Sequence, residues 1–294
     1  MILLSALGGC RAAEFFIANA PDAFGHIQRL TDLPYGSEAR QRLDVYLPHT
    51  HVPRAVVIFW YGGSWSQGSK GEYRFVGETL AQAGFVAVLP DYRLYPQVTF
   101  PVFDEDGARA VAWVERHAGE FGGDARHIVL MGHSAGGHTA ALLAFDHDLL
   151  RRFGGEPACI AGLVGLSGPY ELVPDSARLR AAFPPPYTPR DWQPIRFVDA
   201  AAPPALLLHG EDDTDVRPIE TLHLQQALQA VGVRVEAHLY PHRGHGATIA
   251  PFALVTRWRA PAVRETVDFI NSVAPSGSHP GEGAECLPEG ASSR

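Results

Sequence analysis

One segment constrains the fold of this 294-residue chain more than any other: the apolar run Ile128-Val129-Leu130-Met131, the turn Gly132-His133-Ser134-Ala135-Gly136-Gly137, and the alanine-rich stretch behind it. A strand, a tight turn and a helix in immediate succession form the connection from which parallel sheets covered by helices are built. The turn has the form G-x-S-x-G, whose small neighbours make room for a strained backbone that lifts a serine hydroxyl above the sheet. Elsewhere Arg42 to Leu47 alternates as a half-buried strand, while Phe85 to Leu89 and Ile160 to Leu166 read as buried ones. Ala108, Val111, Ala112 and Val114 form the apolar stripe of a helix between Asp106 and Ala118. The alternation predicts one large α/β domain over residues 26–273, with a mostly parallel central sheet and helices on both faces.

A serine hydroxyl is a weak nucleophile near neutral pH, so Ser134 needs a histidine base and a carboxylate to orient that base. Both follow in the chain. Pro204 to Gly210 reads as a buried strand ending in the acidic cluster Glu211-Asp212-Asp213-Thr214-Asp215, where a carboxylate at a strand's carboxyl end reaches the site. The next strand, Arg234 to Tyr240, empties into Pro241-His242-Arg243-Gly244-His245-Gly246, which holds two histidines. A tetrahedral intermediate also needs backbone N–H donors aimed at its developing charge. Ala135 supplies one, and the glycine turn Tyr61-Gly62-Gly63-Ser64-Trp65, after the strand Ala55 to Trp60, supplies the others at Gly62 and Gly63.

These residues resemble the α/β-hydrolase superfamily, and within it the esterases of the hormone-sensitive-lipase type with their feruloyl-esterase-like and kynurenine-formamidase-like relatives. The resemblance runs over roughly residues 40 to 272 and adds Asp91-Tyr92-Arg93-Leu94-Tyr95-Pro96 and Phe121-Gly122-Gly123-Asp124 to the motifs above. Its pattern His-Gly-x-x-Asp-x-x-Val implies Asp213 as the acid, with Asp212 and Asp215 as neighbouring alternatives, and its Gly-His-Gly turn implies His245 over His242. Two positions depart from the common pattern: Tyr61 stands where a histidine is usual, and Ser64 where a third glycine is often found. Both bear on pocket shape and not on backbone donors. Trp60, Trp65, Tyr92 and Tyr95 are candidates for lining a substrate pocket, as their segments converge above the sheet edge in this fold, and Tyr61 and His133 are candidates beside them.

The resemblance implies a serine carboxylic-ester hydrolase acting on small, short-acyl esters, without cofactor. An arylformamidase acting on N-formylkynurenine through the same machinery is the alternative, and a binding module on a hydrolase scaffold is the alternative of another class. The proline- and aromatic-rich segment from Gly168 to Asp199 sits where this superfamily inserts a lid, and a short one fits a modest pocket. No HExxH or carboxylate-rich partner accompanies His242 and His245, so no metal site is expected. A net charge of −8 gives no support to nucleic-acid binding.

Three cysteines, Cys10, Cys159 and Cys286, make no disulfide framework. Leu7-Gly8-Gly9-Cys10 resembles a lipobox, which would place lipid on Cys10 and the protein at a membrane, although the segment has no basic n-region. The alternatives are a cytoplasmic enzyme and an exported lipoprotein. Residues 1–25 read as a leader or loosely packed arm, and the Gly-, Ser- and Pro-rich residues 274–294 as a disordered tail.

Overall fold

The computed structural model describes residues 14–19, 27–49 and 54–275. Its eight-stranded sheet comprises β1 (Gln28–Pro34), β2 (Arg42–Leu47), β3 (Arg54–Trp60), β4 (Val86–Pro90), β5 (Gly123–His133), β6 (Ile160–Leu166), β7 (Ala205–Gly210) and β8 (Val235–Tyr240). The spatial order is β1-β2-β4-β3-β5-β6-β7-β8. β2 runs antiparallel to both β1 and β4, and every pair from β4 to β8 is parallel. The helices that concern the site are α1 (Arg74–Gln82), α2 (Val102–His117), α3 (Ala135–Phe145), α4 (His147–Arg152), α5 (Ala177–Ala182), α6 (Pro189–Trp192), α7 (Ile219–Ala230) and α8 (Ala262–Val273).

The central strands are apolar on both faces because helices cover both. Residues Val56 to Trp60 in β3, Ile128 to Met131 in β5 and Leu206 to Leu208 in β7 are wholly enclosed. α3 crosses directly behind β5 and is buried along its full length, which is why its sequence is mostly apolar instead of amphipathic. From β3 the chain proceeds outward to β4, then returns to the far side of β3 as β5. Strand order therefore reverses between β3 and β5, and a crevice opens at their carboxyl ends where such sheets bind ligands.

Three elements differ from expectation. β1 is absent from the sequence reading because it is an exposed edge strand with no alternation, broken by an irregularity between Leu30 and Leu33. α2 begins at Val102, ahead of Asp106, with Pro101 at its N-cap, where the missing N–H costs no intrahelical bond. Cys159, buried ahead of β6, is disulfide-bonded, a single bond where no disulfide framework was expected. Within the expected N-terminal arm, residues 14–18 form a helical turn, and the Asn19 carboxamide accepts from the Phe75 N–H at 2.9 Å and donates to the Glu72 carbonyl at 2.8 Å. Cys10, Cys286 and the expected tail from residue 276 lie outside the described residues.

The Gly168 to Asp199 segment carries α5 and α6 and packs by aromatic contacts instead of standing clear. Phe183 lies against Trp65 (4.8 Å between ring centroids), Phe103 (5.4 Å) and Trp192 (5.4 Å). Among the described residues, no helix is long and apolar enough to cross a membrane.

Candidate active site

Strand register places the first two components. Trp60 in β3 pairs with Gly132 in β5, so two residues further along each strand Gly62 meets Ser134. The approach is close enough that a Cβ on Gly62 would stand 2.9 Å from the Ser134 Cβ and 3.0 Å from the His133 carbonyl. Ser134 itself sits at φ 55°, ψ −123°, a strained conformation for a residue with a side chain, at the N-terminus of α3. The flanking glycines are needed sterically: a Cβ on Gly136 would lie 2.0 Å from the Trp60 carbonyl, and one on Gly132 would lie 2.0 Å from the Gly136 carbonyl. Among the described residues, no group accepts a backbone hydrogen bond from the N–H of Gly62, Gly63 or Ala135.

The loops after β7 and β8 carry Asp213 and His245, the acid and base expected from the sequence. They are stitched together by backbone bonds from Asp212 N–H to the Arg243 carbonyl (2.8 Å) and from Glu211 N–H to the Tyr240 carbonyl (3.0 Å). His245 Nδ1 then lies 2.7 Å from Asp213 Oδ2. The other oxygen, Oδ1, accepts the N–H groups of Asp215 (2.9 Å) and Val216 (3.0 Å), which locks the carboxylate plane. Asp212 and Asp215 are exposed, and His242 is exposed at the φ 57° corner of its turn, so of the alternatives the structure pairs Asp213 with His245. Burial alone would raise the Asp213 carboxyl, but hydrogen bonds from His209 and His245 outweigh it and hold the group well below the ordinary carboxylate range.

His133 and Tyr61 support the site from behind. His133 is buried, its Nε2 is 3.3 Å from the His245 carbonyl, and its ring centroid lies 4.9 Å from that of His245. Burial, reinforced by the nearby His245, pushes its pKa down to about 3, so it stays neutral and donates Nε2–H to hold the base loop. Tyr61 is wholly enclosed and therefore offers packing and a hydroxyl instead of a pocket wall. That hydroxyl donates to Asp91 Oδ1 (2.8 Å) and accepts from Arg40 Nη2 (2.7 Å), while its carbonyl accepts the Tyr92 hydroxyl (2.9 Å). Lys70 extends the brace: its N–H donates to Asp91, and its ammonium bridges Asp32 (2.7 Å) and Asp44 (2.6 Å). The Asp91-Tyr92 motif thus braces the glycine turn from beneath.

Trp65 is also buried, edge-on to His138 (5.1 Å) and Phe183 (4.8 Å). It fills the space between the glycine turn and the first turn of α3. Asp213, Asp215 and His245 place one ligand atom each within 4.8 Å of one another, so three groups could hold a metal ion. The Asp213 oxygens already accept three hydrogen bonds, from the Asp215 and Val216 N–H groups and from His245 Nδ1, with His209 Nε2 a further 3.0 Å neighbour, which leaves little capacity for an ion.

A family model described as BD-FAE matches residues 43–180. The isoprenylcysteine alpha-carbonyl methylesterase ICME of Arabidopsis thaliana is 31% identical over 255 residues, 78% of this chain and 59% of that protein. Esterase LipC of Mycobacterium tuberculosis is 32% identical over 239 residues, covering 72% of this chain and 58% of that one. The apo structure of Thermogutta terrifontis esterase 2 superposes with a TM-score of 0.71 at 25% identity, over 87% of this chain and 99% of that one. The chain belongs to the esterase group of the α/β-hydrolase superfamily. It spans about half to three-fifths of the length of the curated relatives it matches.

Within this α/β-hydrolase, one contact of the site escaped the sequence reading. His209, the last histidine of β7, places Nε2 3.0 Å from the same Asp213 oxygen that His245 meets. The signal was present, since His209 precedes Asp213 by four residues in the His-Gly-x-x-Asp pattern.

Proposed function

We propose that this α/β-hydrolase is a serine carboxylic-ester hydrolase acting through Ser134, His245 and Asp213 on small, short-acyl esters. The observation that carries the reading is the 2.7 Å His245–Asp213 contact, on a loop that His133, the residue before the strained Ser134, holds by a 3.3 Å bond to the His245 carbonyl. His245 takes the proton from Ser134 as the hydroxyl attacks the carbonyl carbon, and Asp213 orients the imidazole and stabilises its charged form. The N–H groups of Ala135, Gly62 and Gly63 receive the oxyanion, each worth about 3–4 kcal/mol in the transition state. The protonated His245 then gives its proton to the departing alkoxide. Water, activated by the same histidine, releases the acid and restores Ser134.

The preference for small acyl groups is supported by Trp65, Phe103 and Phe183, which fill the space beside the first turn of α3. Relatives named as a methylesterase and as an esterase favour esters over formamides. The test is hydrolysis of p-nitrophenyl acetate, butyrate and octanoate, with N-formylkynurenine in parallel, by wild type and Ser134→Ala, both checked by circular dichroism. Activity on the short esters that vanishes in the variant supports the reading. A folded wild type that turns over only N-formylkynurenine overturns it in favour of the formamidase, and one that turns over nothing favours a binding module.

A further inference from the structure

We propose that His209 is a positioning residue for this hydrolase: its Nε2–H, shared between the Val216 carbonyl and Asp213 Oδ2, holds part of the carboxylate charge that His245 draws on. The inference rests on the triad reading above. His209 and the Asp213 side chain are both fully enclosed, so their 3.0 Å contact is unscreened by water. The tautomer follows from its partners. Nε2 faces two acceptors, the Asp213 carboxylate and the Val216 carbonyl at 3.1 Å, so it carries the proton. Nδ1 lies 2.7 Å from the buried Thr221 hydroxyl on α7, which donates to it and keeps the ring in that tautomer.

Asp213 Oδ2 thus lies between two imidazoles, His245 Nδ1 of the base loop at 2.7 Å and His209 Nε2 of β7 at 3.0 Å, the latter sharing its N–H with the Val216 carbonyl. Charge drawn toward His209 is charge withheld from His245, and the ring also stops the carboxylate from turning about its Cβ–Cγ bond. The other titratable groups around this cluster are His133 from β5 and Asp215 from the acid loop; His133 is held neutral, and Asp215 is exposed. Both ring nitrogens have partners, so the ring is held in one orientation against Asp213.

The test compares kcat/KM against pH for wild type, His209→Gln and His209→Met with p-nitrophenyl acetate, with Ser134→Ala alongside. The Gln side chain places an N–H close to the position of Nε2; Met does not. With that donor gone, Asp213 becomes a stronger acceptor for the charged form of His245, so the acid limb of the His209→Met profile moves up by at least about 0.5 pH unit. Plateau kcat/KM falls about 10- to 100-fold in the same variant, the loss expected for a hydrogen bond to a charged group. His209→Gln stays near wild type in both respects. If His209→Met fails to fold, Thr221→Val, which removes the hydroxyl behind Nδ1, carries the test with an upward shift of the same limb. An acid limb that is unmoved or moves down in a folded variant overturns the inference, as does a Gln variant no better than Met. Activity that persists in Ser134→Ala instead overturns the triad reading, so the two failures are distinguishable.

Discussion

Gly62→Ala tests the geometry of the site more sharply than removing the nucleophile, because it alters one contact by one methyl group. The added Cβ would stand 2.9 Å from the Ser134 Cβ, 3.0 Å from the His133 carbonyl and 3.1 Å from His133 Nδ1. Ordinary carbon contacts begin near 3.5 Å, so the glycine turn and Ser134 must separate by about 0.6 Å. Gly62 is not in the positive-φ region, and alanine brings no backbone penalty there. The displaced N–H no longer meets the oxyanion at hydrogen-bond distance, and losing one such donor costs about 2.7–4 kcal/mol, or about 10²–10³ in kcat. KM should change little, because the donor acts on charge that develops only in the transition state. The strain of overpacking costs about 1–3 kcal/mol of stability, small enough to leave a folded protein. The assay is kcat and KM on p-nitrophenyl acetate, with urea denaturation as the control for folding. Gly63→Ala makes the contrast: at φ 138° its Cβ would lie 2.1 Å from the Gln67 carbonyl, so stability should fail along with activity. A folded Gly62→Ala enzyme with kcat within about threefold of wild type would refute the assignment of that turn to the oxyanion.

Other perturbations follow from the same contacts. Ser134→Gly abolishes turnover yet raises stability by about 1 kcal/mol, since glycine occupies φ 55° without strain; urea denaturation showing a loss would place the strain elsewhere. Asp213→Asn lowers kcat by about 10⁴ with the fold intact, because the amide no longer selects the productive tautomer of His245, and a loss under tenfold in steady-state kinetics would contradict this. Lys70→Met leaves the buried Asp44 uncompensated beneath the glycine turn and costs about 3–5 kcal/mol in denaturant unfolding, which Lys70→Arg should largely restore. Burial drives Asp104 up to about 7, above its unfolded value of 3.8, so its contribution to stability is fully present below pH 4 and is lost as pH rises through 7. Asp104→Asn, which keeps an acceptor for Thr139, should therefore raise Tm relative to wild type by at least about 2 °C at pH 8, and the gain should vanish toward pH 4 in thermal scans.

Much of this architecture could be read from the order of residues. Ile160 to Leu166 and Arg42 to Leu47 are strands in the structure with the boundaries their patterns imply, because continuous or alternating apolar runs bounded by turn residues have few other outcomes. β1 could not be read, since an exposed edge strand buries no face and so leaves no periodic signature. The pairing of Asp213 with His245 was implied by the family resemblance, yet Asp212 and Asp215 differ from Asp213 only in where their side chains point, and that depends on the turn that Asp213 itself closes on Asp215 and Val216. Tyr61 shows the opposite: its place in a glycine turn suggested a pocket wall, while contacts 30 residues distant, at Asp91, drew its hydroxyl into the core.

By itself, the sequence determined the local events: a serine forced onto a tight turn between a strand and a buried helix, glycines where another backbone must pass, and apolar runs that only a covered parallel sheet can bury. Those are properties of bonded neighbours and of burial, which a linear chain encodes directly. Only the tertiary structure decided which groups meet: Gly62 against Ser134 through the β3–β5 register, His133 beneath the His245 loop, and His209 on the oxygen of Asp213 that His245 shares. Each of these contacts joins segments whose separation along the chain says nothing about their distance in space. Their geometry is set by strand register and by the reversal of strand order, and both exist only once the sheet has formed.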